Sequence, residues 1–257
     1  MNVKLKNLFS QKRNLVVTIL VCVFLLAILG GIIYASIAYG NGKMGKALFH
    51  RKVWYAVLCV LMMAAVFLAQ LLFRVRFSVF CEIALISFAF AALAGGTVFT
   101  LYSHIPVWDK ILHTLSGPLF SIVGLGFAIL LSEKQPTEKR RVVMCVVFAF
   151  LASLAVGYLW EIFEYTVDSV ISGYNNQRWL EGLIQSLPDG TYIVSDKRGT
   201  ALIDTMSDMI CNLCGTVAFL VPVLILCLKK PERIHTFKFT PLAKKEHAHA
   251  ENPSEHD

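Results

Sequence analysis

The chain has 257 residues, of which 56% are hydrophobic and 16% are charged, and its mean hydropathy is +0.64. This composition excludes a disordered chain and is typical of an integral membrane protein rather than of a soluble domain. The formal net charge of +7 does not indicate nucleic-acid binding, because the Lys and Arg residues flank apolar stretches instead of forming a basic soluble face.

Six apolar stretches are each long enough to cross the hydrocarbon core of a bilayer, which takes about 20 residues of helix. They cover residues 15–38, 53–73, 77–101, 111–131, 142–171 and 204–228. The first stretch exceeds the ~7–15 apolar residues of a signal peptide, so we expect it to be an uncleaved span. Because most connections are short, we predict an all-α polytopic membrane protein with one transmembrane domain over residues 1–228, a bundle of six transmembrane helices.

Two segments lie outside these spans. Between the fifth and sixth spans, apolar residues recur at helical spacing, at Trp179, Leu180, Leu183, Ile184 and Leu187. This pattern predicts an amphipathic helix that lies in the membrane interface. Residues 229–257 turn polar and end in a His-containing stretch, which predicts a disordered, solvated tail.

The distribution of basic residues predicts the orientation of the bundle. If the N-terminus is cytoplasmic, most of the 24 Lys and Arg residues lie on the cytoplasmic side. Four basic residues of the first outer loop run against this pattern: Lys43, Lys46, Arg51 and Lys52. We expect a multi-pass protein of the bacterial cytoplasmic (inner) membrane with both termini in the cytoplasm.

Ionisable and amide side chains, which are costly inside a bilayer, gather at one end of the last three spans. Asp109, Lys110 and His113 lie at the start of the fourth span, Glu161, Glu164 and Asp168 near the end of the fifth, and Asp204, Asp208 and Asn212 at the start of the sixth. Spacings of three or four residues place most members of each set on one helix face. Since the fourth and sixth spans start at the surface where the fifth ends, we predict one site that opens to the outer leaflet.

Several carboxylates at low dielectric cannot all stay charged, so the predicted site needs protons or a cation. A His with Asp and Glu residues suits Zn²⁺, Mn²⁺, Fe²⁺ or Mg²⁺. The candidate metal ligands are His113, Glu164, Asp204 and Asp208, and the candidate catalytic bases are Glu161 and Asp109. Other residues are expected to line the site: Lys110, Asp168, Arg198 and Asn212. Of these, Arg198 could meet an anionic headgroup.

Three ordered motifs carry a resemblance to a known family. They are Asp109-Lys110-x-x-His113, Glu161-x-x-Glu164 and Asp208-x-x-x-Asn212-x-x-Gly215. This pattern resembles the VanZ-like family of bacterial polytopic membrane proteins, over residues 109–215. The element Asp204-Thr205-x-x-Asp208-Met209 is also similar to a related inner-membrane family of unknown function. The resemblance implies an envelope-related membrane protein and names no reaction.

There are two departures from the VanZ-like pattern. Glu164 stands where that family commonly has Gln, which makes this site more acidic. The Arg that the pattern has just before the last helix is only loosely matched by Arg198.

The leading functional interpretation is binding of, or action on, an envelope lipid or lipid-linked precursor, with metal-assisted hydrolysis or transfer as the candidate chemistry. A proton- or cation-coupled transporter is the first alternative, because Gln70 and Glu82 could extend a polar path toward the other surface. The second is a structural or regulatory subunit without turnover, in which the polar residues fix helix register. Membrane lipids are the expected partners.

Overall fold

The computed structural model describes residues 3–105, 107–132, 136, 138–171, 174, 176–177, 184–186, 192–194 and 197–242, and for residues 3–14, 184–186, 192–194 and 197–200 it describes the backbone alone. Within these residues, six helices are long and apolar enough to cross a membrane, which confirms the predicted all-α polytopic bundle. The helices in chain order are α1 (Val3–Gly40), α2 (Lys46–Leu72), α3 (Val79–Ala89, continued as a π-helix over Phe90–Val98), the short α4 (Leu101–His104), α5 (Trp108–Leu131), α6 (Lys139–Val170) and α7 (Lys197–Lys229).

The last long helix begins earlier than its hydropathy predicts. Apolar residues start after Asp204, yet α7 begins at Lys197, about two turns upstream. Asp204 therefore lies inside the helix rather than in its first turn. Its carboxylate faces α5, where it contacts Lys110.

Small residues allow α5, α6 and α7 to pack closely against one another. A Cβ on Gly215 of α7 would overlap the carbonyl oxygen of Thr114 on α5. Likewise, a Cβ on Gly117 of α5 would overlap the backbone nitrogen of Thr216 on α7. The two backbones can approach this closely only because neither glycine has a side chain. This approach brings the polar faces of α5 and α7 into direct contact.

The other half of the bundle consists of α1, α2 and α3, which share one apolar core. After the π-helix Phe90–Val98, the chain turns through Thr100 with φ 62°, a left-handed conformation that β-branched residues rarely adopt. A Cβ on Gly96 would overlap the ring of Tyr102, so this glycine lets the Tyr102 ring fold back onto the π-helix. Such π-helical segments frequently occur at functional sites.

The chain after α7 is folded at the far end of the bundle. A 3₁₀ helix spans Pro231–Phe237, and strand β4 (Thr240–Pro241) pairs antiparallel with β1 (Val75–Arg76). Ile234 and Phe239 are buried, which places two apolar side chains in the interior. The predicted disordered tail is therefore wrong for residues 231–242, because these side chains anchor the segment. Residues 243–257 lie outside the described residues.

The loop between α6 and α7 contains a short antiparallel pair, β2 (Ile184–Ser186) and β3 (Tyr192–Val194). The predicted amphipathic helix is therefore wrong at Ile184, which lies in a strand. β-branched and aromatic residues favour strands, and Pro188-Asp189-Gly190 between them is a turn signal in the sequence. The other residues of the predicted apolar stripe lie outside the described residues: Trp179, Leu180, Leu183 and Leu187.

Candidate functional site

The polar residues of α5, α6 and α7 meet at the end of the bundle where α5 and α7 begin and α6 ends. We call six of them, with Lys110, the acid–histidine cluster: Asp109, His113, Glu161, Glu164, Asp204 and Asp208. Five of the six are buried, with relative exposures of 5% for Asp109, 8% for His113, 4% for Glu161, 8% for Glu164 and 0% for Asp208. This arrangement places four buried carboxyl groups and an imidazole within one bundle end.

Lys110 is the cation at the centre of three of the carboxylates. Its Nζ lies 2.6 Å from Asp204 Oδ1, 2.7 Å from Asp208 Oδ1 and 3.2 Å from Asp109 Oδ2. These are charge-assisted hydrogen bonds, which are shorter and stronger than neutral ones. From its sequence position, Lys110 was expected only to line the site, whereas in the structure it joins α5 to α7.

His113 lies between two groups of carboxylates. Its Nε2 is 3.9 Å from Asp109 Oδ1 and 3.8 Å from Asp208 Oδ1, and its Nδ1 is 3.7 Å from Glu161 Oε1. These separations exceed hydrogen-bond length, so the ring is surrounded by acceptors without being tightly held by those three atoms.

In the described part of the chain, two sets of three side chains are close enough to hold a metal ion. They are Asp109, His113 and Asp208, and His113, Glu161 and Glu164, with ligand atoms within 4.8 Å of one another in each set. Zn²⁺ takes oxygen and nitrogen ligands at about 2.0–2.2 Å, so small side-chain movements would bring either set into coordination range. Asp204 belongs to neither set and binds Lys110 instead.

Glu161 is the least satisfied member of the cluster. It is 4% exposed, and the Thr205 hydroxyl and His113 Nδ1, the latter 3.7 Å away, lie near its oxygens; among the described residues, neither oxygen accepts a hydrogen bond of regular geometry. Asp208 Oδ2 is also buried and, among the described residues, accepts no hydrogen bond. A buried acceptor without a donor costs about 1–3 kcal/mol, and more when the group is charged. Such groups are usually protonated or bind a metal ion, a water molecule or a ligand.

Other predicted site residues have structural partners. Glu164 accepts a hydrogen bond from Trp160 Nε1 at 3.0 Å. Asp168 accepts two from the loop backbone, from Asn176 N and Gln177 N at 2.9 Å each, so it fixes the chain after α6. The side chain of Arg198 lies outside the described residues, although its backbone belongs to α7.

A polar seam continues from the cluster along α7. Asn212 Nδ2 donates to Ser116 Oγ at 2.7 Å, and one turn deeper the hydroxyls of Thr216 and Ser153 lie 2.9 Å apart. On the next turn of α7, Leu220 is buried in an apolar core. The seam therefore reaches the middle of the bundle and ends there.

A cavity of about 240 Å³ opens beside the cluster between α6 and α7. Glu161, Asp208 and His113 border it on the inside. Its outer rim consists of side chains exposed on the surface of the bundle: Tyr158, Met209, Ile210 and Leu213. In a membrane, this rim contacts lipid.

A second cavity, of about 220 Å³, reaches the cluster from the side of α2 and α3. It is lined by Asp109 of the cluster and by residues that the sequence did not single out as site residues: Arg51, Tyr55, Thr97, Thr100 and Trp160. Arg51 was interpreted as a topology signal only. A basic residue directly before an apolar span, on the side of the predicted site, is the sequence signal that could have identified it.

The family described as Predicted membrane protein (DUF2238) matches residues 19–230, more than half of the chain. The chain belongs to this family. The matched region contains all residues of the acid–histidine cluster. An uncharacterized protein of Thermotoga maritima is 34% identical over 92 residues, which cover 36% of this chain and 46% of that protein. The chain thus spans less than half of that curated relative. No solved structure matches the chain.

Membership in the DUF2238 family establishes a membrane protein without naming an activity. No match supports the resemblance to VanZ-like proteins. The other resemblance, to a related inner-membrane family of unknown function, is compatible with the DUF2238 match.

Proposed function

We propose that this protein binds the polar headgroup of an envelope lipid or lipid-linked precursor in the acid–histidine cluster and promotes its hydrolysis or transfer. The observation that carries the proposal is Glu161, a buried carboxylate that accepts no hydrogen bond of regular geometry among the described residues and borders a cavity opening between α6 and α7. A ligand, a metal ion or both would supply the missing partner.

Access from the bilayer supports a lipid as the ligand. The rim of the cavity includes Tyr158, Ile210 and Leu213, with 56%, 55% and 39% of their surface exposed. In a bilayer these side chains contact acyl chains, while Glu161, Asp208 and His113 form the polar side of the cavity. A lipid can therefore keep its chains in the membrane while its headgroup enters the cluster sideways.

A divalent metal fits best at His113, Glu161 and Glu164. Lys110 already neutralises part of the charge of Asp204 and Asp208, whereas Glu161 has no such partner. A bound Zn²⁺, Mn²⁺, Fe²⁺ or Mg²⁺ would polarise a phosphate or ester oxygen and activate water. Asp109 borders both Lys110 and His113, so it is the carboxylate placed to accept a proton if Glu161 is a metal ligand.

The same proposal includes a bacterial inner-membrane location with the cluster near the outer leaflet. It rests on the basic residues at the other end, where Arg74, Arg76, Arg140 and Arg141 lie beside the ends of spans. Envelope precursors are built into the wall on the outer side, so the orientation would expose the cluster to them.

Transport by the same carboxylates is the weaker alternative. At the far end of the bundle, Gln70 Nε2 donates to Glu82 Oε1 at 3.1 Å, and Gln70 Oε1 accepts from Phe77 N at 3.0 Å. In the described residues, apolar side chains such as Leu125 and Leu220 follow the end of the polar seam on α5 and α7. A transporter would need to open a path through them.

The test compares headgroup or phosphate release with proton flux. Full-length protein in liposomes is given phosphatidylethanolamine, phosphatidylglycerol, cardiolipin and undecaprenyl phosphates. We expect release from one of these lipids, lowered at least a hundredfold by Glu161→Gln, since removing a catalytic base or metal ligand has effects of that order. The matched control, Glu138→Gln, changes an exposed glutamate at the far end and should keep full activity. Proton flux without headgroup release would favour the transporter. The absence of both activities would reject the proposal.

A further inference from the structure

The cavity of about 220 Å³ on the α2 side of the cluster has opposite charges on its wall. Arg51, from the second turn of α2, lines one part, and Asp109, from the first turn of α5, lines another. Tyr55, Thr97 and Thr100 also line the cavity. Arg51 and Asp109 do not form an ion pair with each other. A cavity of this kind suits a ligand with hydrogen-bond acceptors at one end, for Arg51, and a hydrogen-bond donor at the other, for Asp109.

The guanidinium of Arg51 is available to such a ligand. Its Nε is buried and has no acceptor, and no acidic side chain lies within ion-pair distance of it in the described part of the chain. The neighbouring Lys52 is different, because its Nζ donates to the carbonyls of Thr97 at 3.2 Å and Val98 at 2.5 Å. Lys52 therefore caps the end of the π-helix, while Arg51 retains an unused donor.

Tyr174, in the loop after α6, does not neutralise Arg51 either. Burial raises the pKa of the Tyr174 phenol, and the nearby Arg51 guanidinium acts in the opposite direction. The phenol therefore stays protonated and neutral near pH 7. Among the described residues, no carboxylate forms an ion pair with Arg51 on this side of the cavity.

The wall of this cavity includes a π-helix and a residue in a left-handed conformation. The π-helix Phe90–Val98 forms part of it, and Thr100 keeps its left-handed conformation with its hydroxyl donating to the Phe99 carbonyl at 2.7 Å. Residues held in such sparsely populated conformations cluster at ligand-binding sites, where the surrounding structure maintains them.

We propose that this cavity is a headgroup subsite in which Arg51 binds a phosphate and the Asp109 side of the cluster binds a hydroxyl or amino group of the same ligand. The planar guanidinium offers parallel donors that match two phosphate oxygens. The carboxylates at the other end accept hydrogen bonds and favour a hydroxyl or an ammonium group. The ligand class is therefore a phosphate ester with a donor group, and this inference rests on the proposed function.

The experiment measures binding by calorimetry to the full-length protein in dodecyl maltoside. The probes are phosphoethanolamine, inorganic phosphate and ethanolamine. We expect phosphoethanolamine to bind at least tenfold more tightly than either fragment, because only it reaches both ends. Arg51→Gln should weaken the binding of phosphoethanolamine about ten- to a hundredfold, which is the range expected for loss of a charge-assisted contact. The affinity for ethanolamine should not change. The control Lys46→Gln removes an exposed basic residue at the same surface and should leave all three affinities unchanged.

Wild-type affinity for phosphoethanolamine in Arg51→Gln would overturn the subsite. The proposed function would survive that result if Glu161→Gln still abolished headgroup release in liposomes, so the two failures are distinguishable. A parallel titration with dihexanoylphosphatidylethanolamine identifies the source of the ligand. Tighter binding of this short-chain lipid supports a lipid headgroup whose chains leave the bundle beside α2 rather than between α6 and α7, and equal binding supports a soluble phosphate ester in the same subsite.

Discussion

Lys110 on α5 and Asp208 on α7 are joined by a hydrogen bond of 2.7 Å between Nζ and Oδ1. The Asp208 side chain is only 1% exposed, whereas that of Lys110 is 32% exposed. This pair divides the acid–histidine cluster into two parts. The Lys110 part holds α5 against α7, and the Glu161 part has acceptors left over for a ligand.

Replacing Lys110 by Met should destabilise the protein strongly. The change leaves Asp109, Asp204 and Asp208 near one another without their cation. Breaking a buried ion pair costs about 3–5 kcal/mol, and we expect the lower end because Lys110 is partly exposed. Denaturant unfolding of the purified protein in detergent measures the loss.

Two companions test the cause of that loss. Lys46→Met, at an exposed lysine of α2, should change the free energy of unfolding by less than about 0.5 kcal/mol. Adding Asp204→Asn to Lys110→Met should recover part of the stability, because one unpaired charge is removed. A Lys110→Met protein as stable as the wild type would show that the cluster does not hold the helices together.

Gly215→Ala should separate α5 from α7. The new methyl group would overlap the carbonyl oxygen of Thr114, so the backbone has to shift. Overpacking of this kind costs about 1–3 kcal/mol, and the shift should also lower headgroup release because it moves Asp208. Gly30→Ala in α1 is the matched control, since a Cβ there meets nothing within 4 Å. Equal behaviour of the two variants would contradict the close approach.

Metal content tests the role of His113. We expect the purified protein, prepared without chelators, to hold about one equivalent of a divalent metal by elemental analysis. His113→Ala should remove it, because both candidate ligand sets include this ring. His50→Ala, at an exposed histidine of α2, should retain it. A wild-type protein free of metal would exclude the metal-assisted form of the proposal and leave direct headgroup binding.

Orientation is tested by cysteine labelling. In a background without the seven native cysteines, Asn41→Cys should react with a membrane-impermeant reagent from outside the cell. Glu138→Cys should react only after the membrane is opened, because it lies at the other end of the bundle. The reverse pattern would place the acid–histidine cluster at the cytoplasmic surface.

Hydropathy and helical periodicity predicted the six spans and the polar faces of α5, α6 and α7. They could do so because a span needs a long apolar run, and because a spacing of four residues places Asp204, Asp208 and Asn212 on one face. Which charges would pair was not predictable. The Lys110 side chain is long, and its contacts depend on how closely Gly117 and Gly215 let α5 and α7 approach.

Other features depend on contacts between segments distant in sequence. Phe239 looked like part of a polar tail, but it is buried and its ring lies against Gly126. Arg51 looked like a topology signal until the π-helical end of α3 placed a cavity beside it. The local sequence around Phe239 or Arg51 cannot predict these contacts, because the partners are distant in the chain.

The most direct test of the central claim is the thermal unfolding midpoint of Glu161→Gln, measured in detergent beside the wild-type protein. The claim is that the Glu161 carboxylate is kept buried, with no hydrogen bond of regular geometry from the described residues, for the sake of a ligand. A neutral amide in the same place avoids the cost of burying a charge, so we expect a midpoint equal to or higher than that of the wild type, together with loss of headgroup release. A midpoint lowered by several degrees would contradict the account, because Glu161 would then be part of a polar network that maintains the fold.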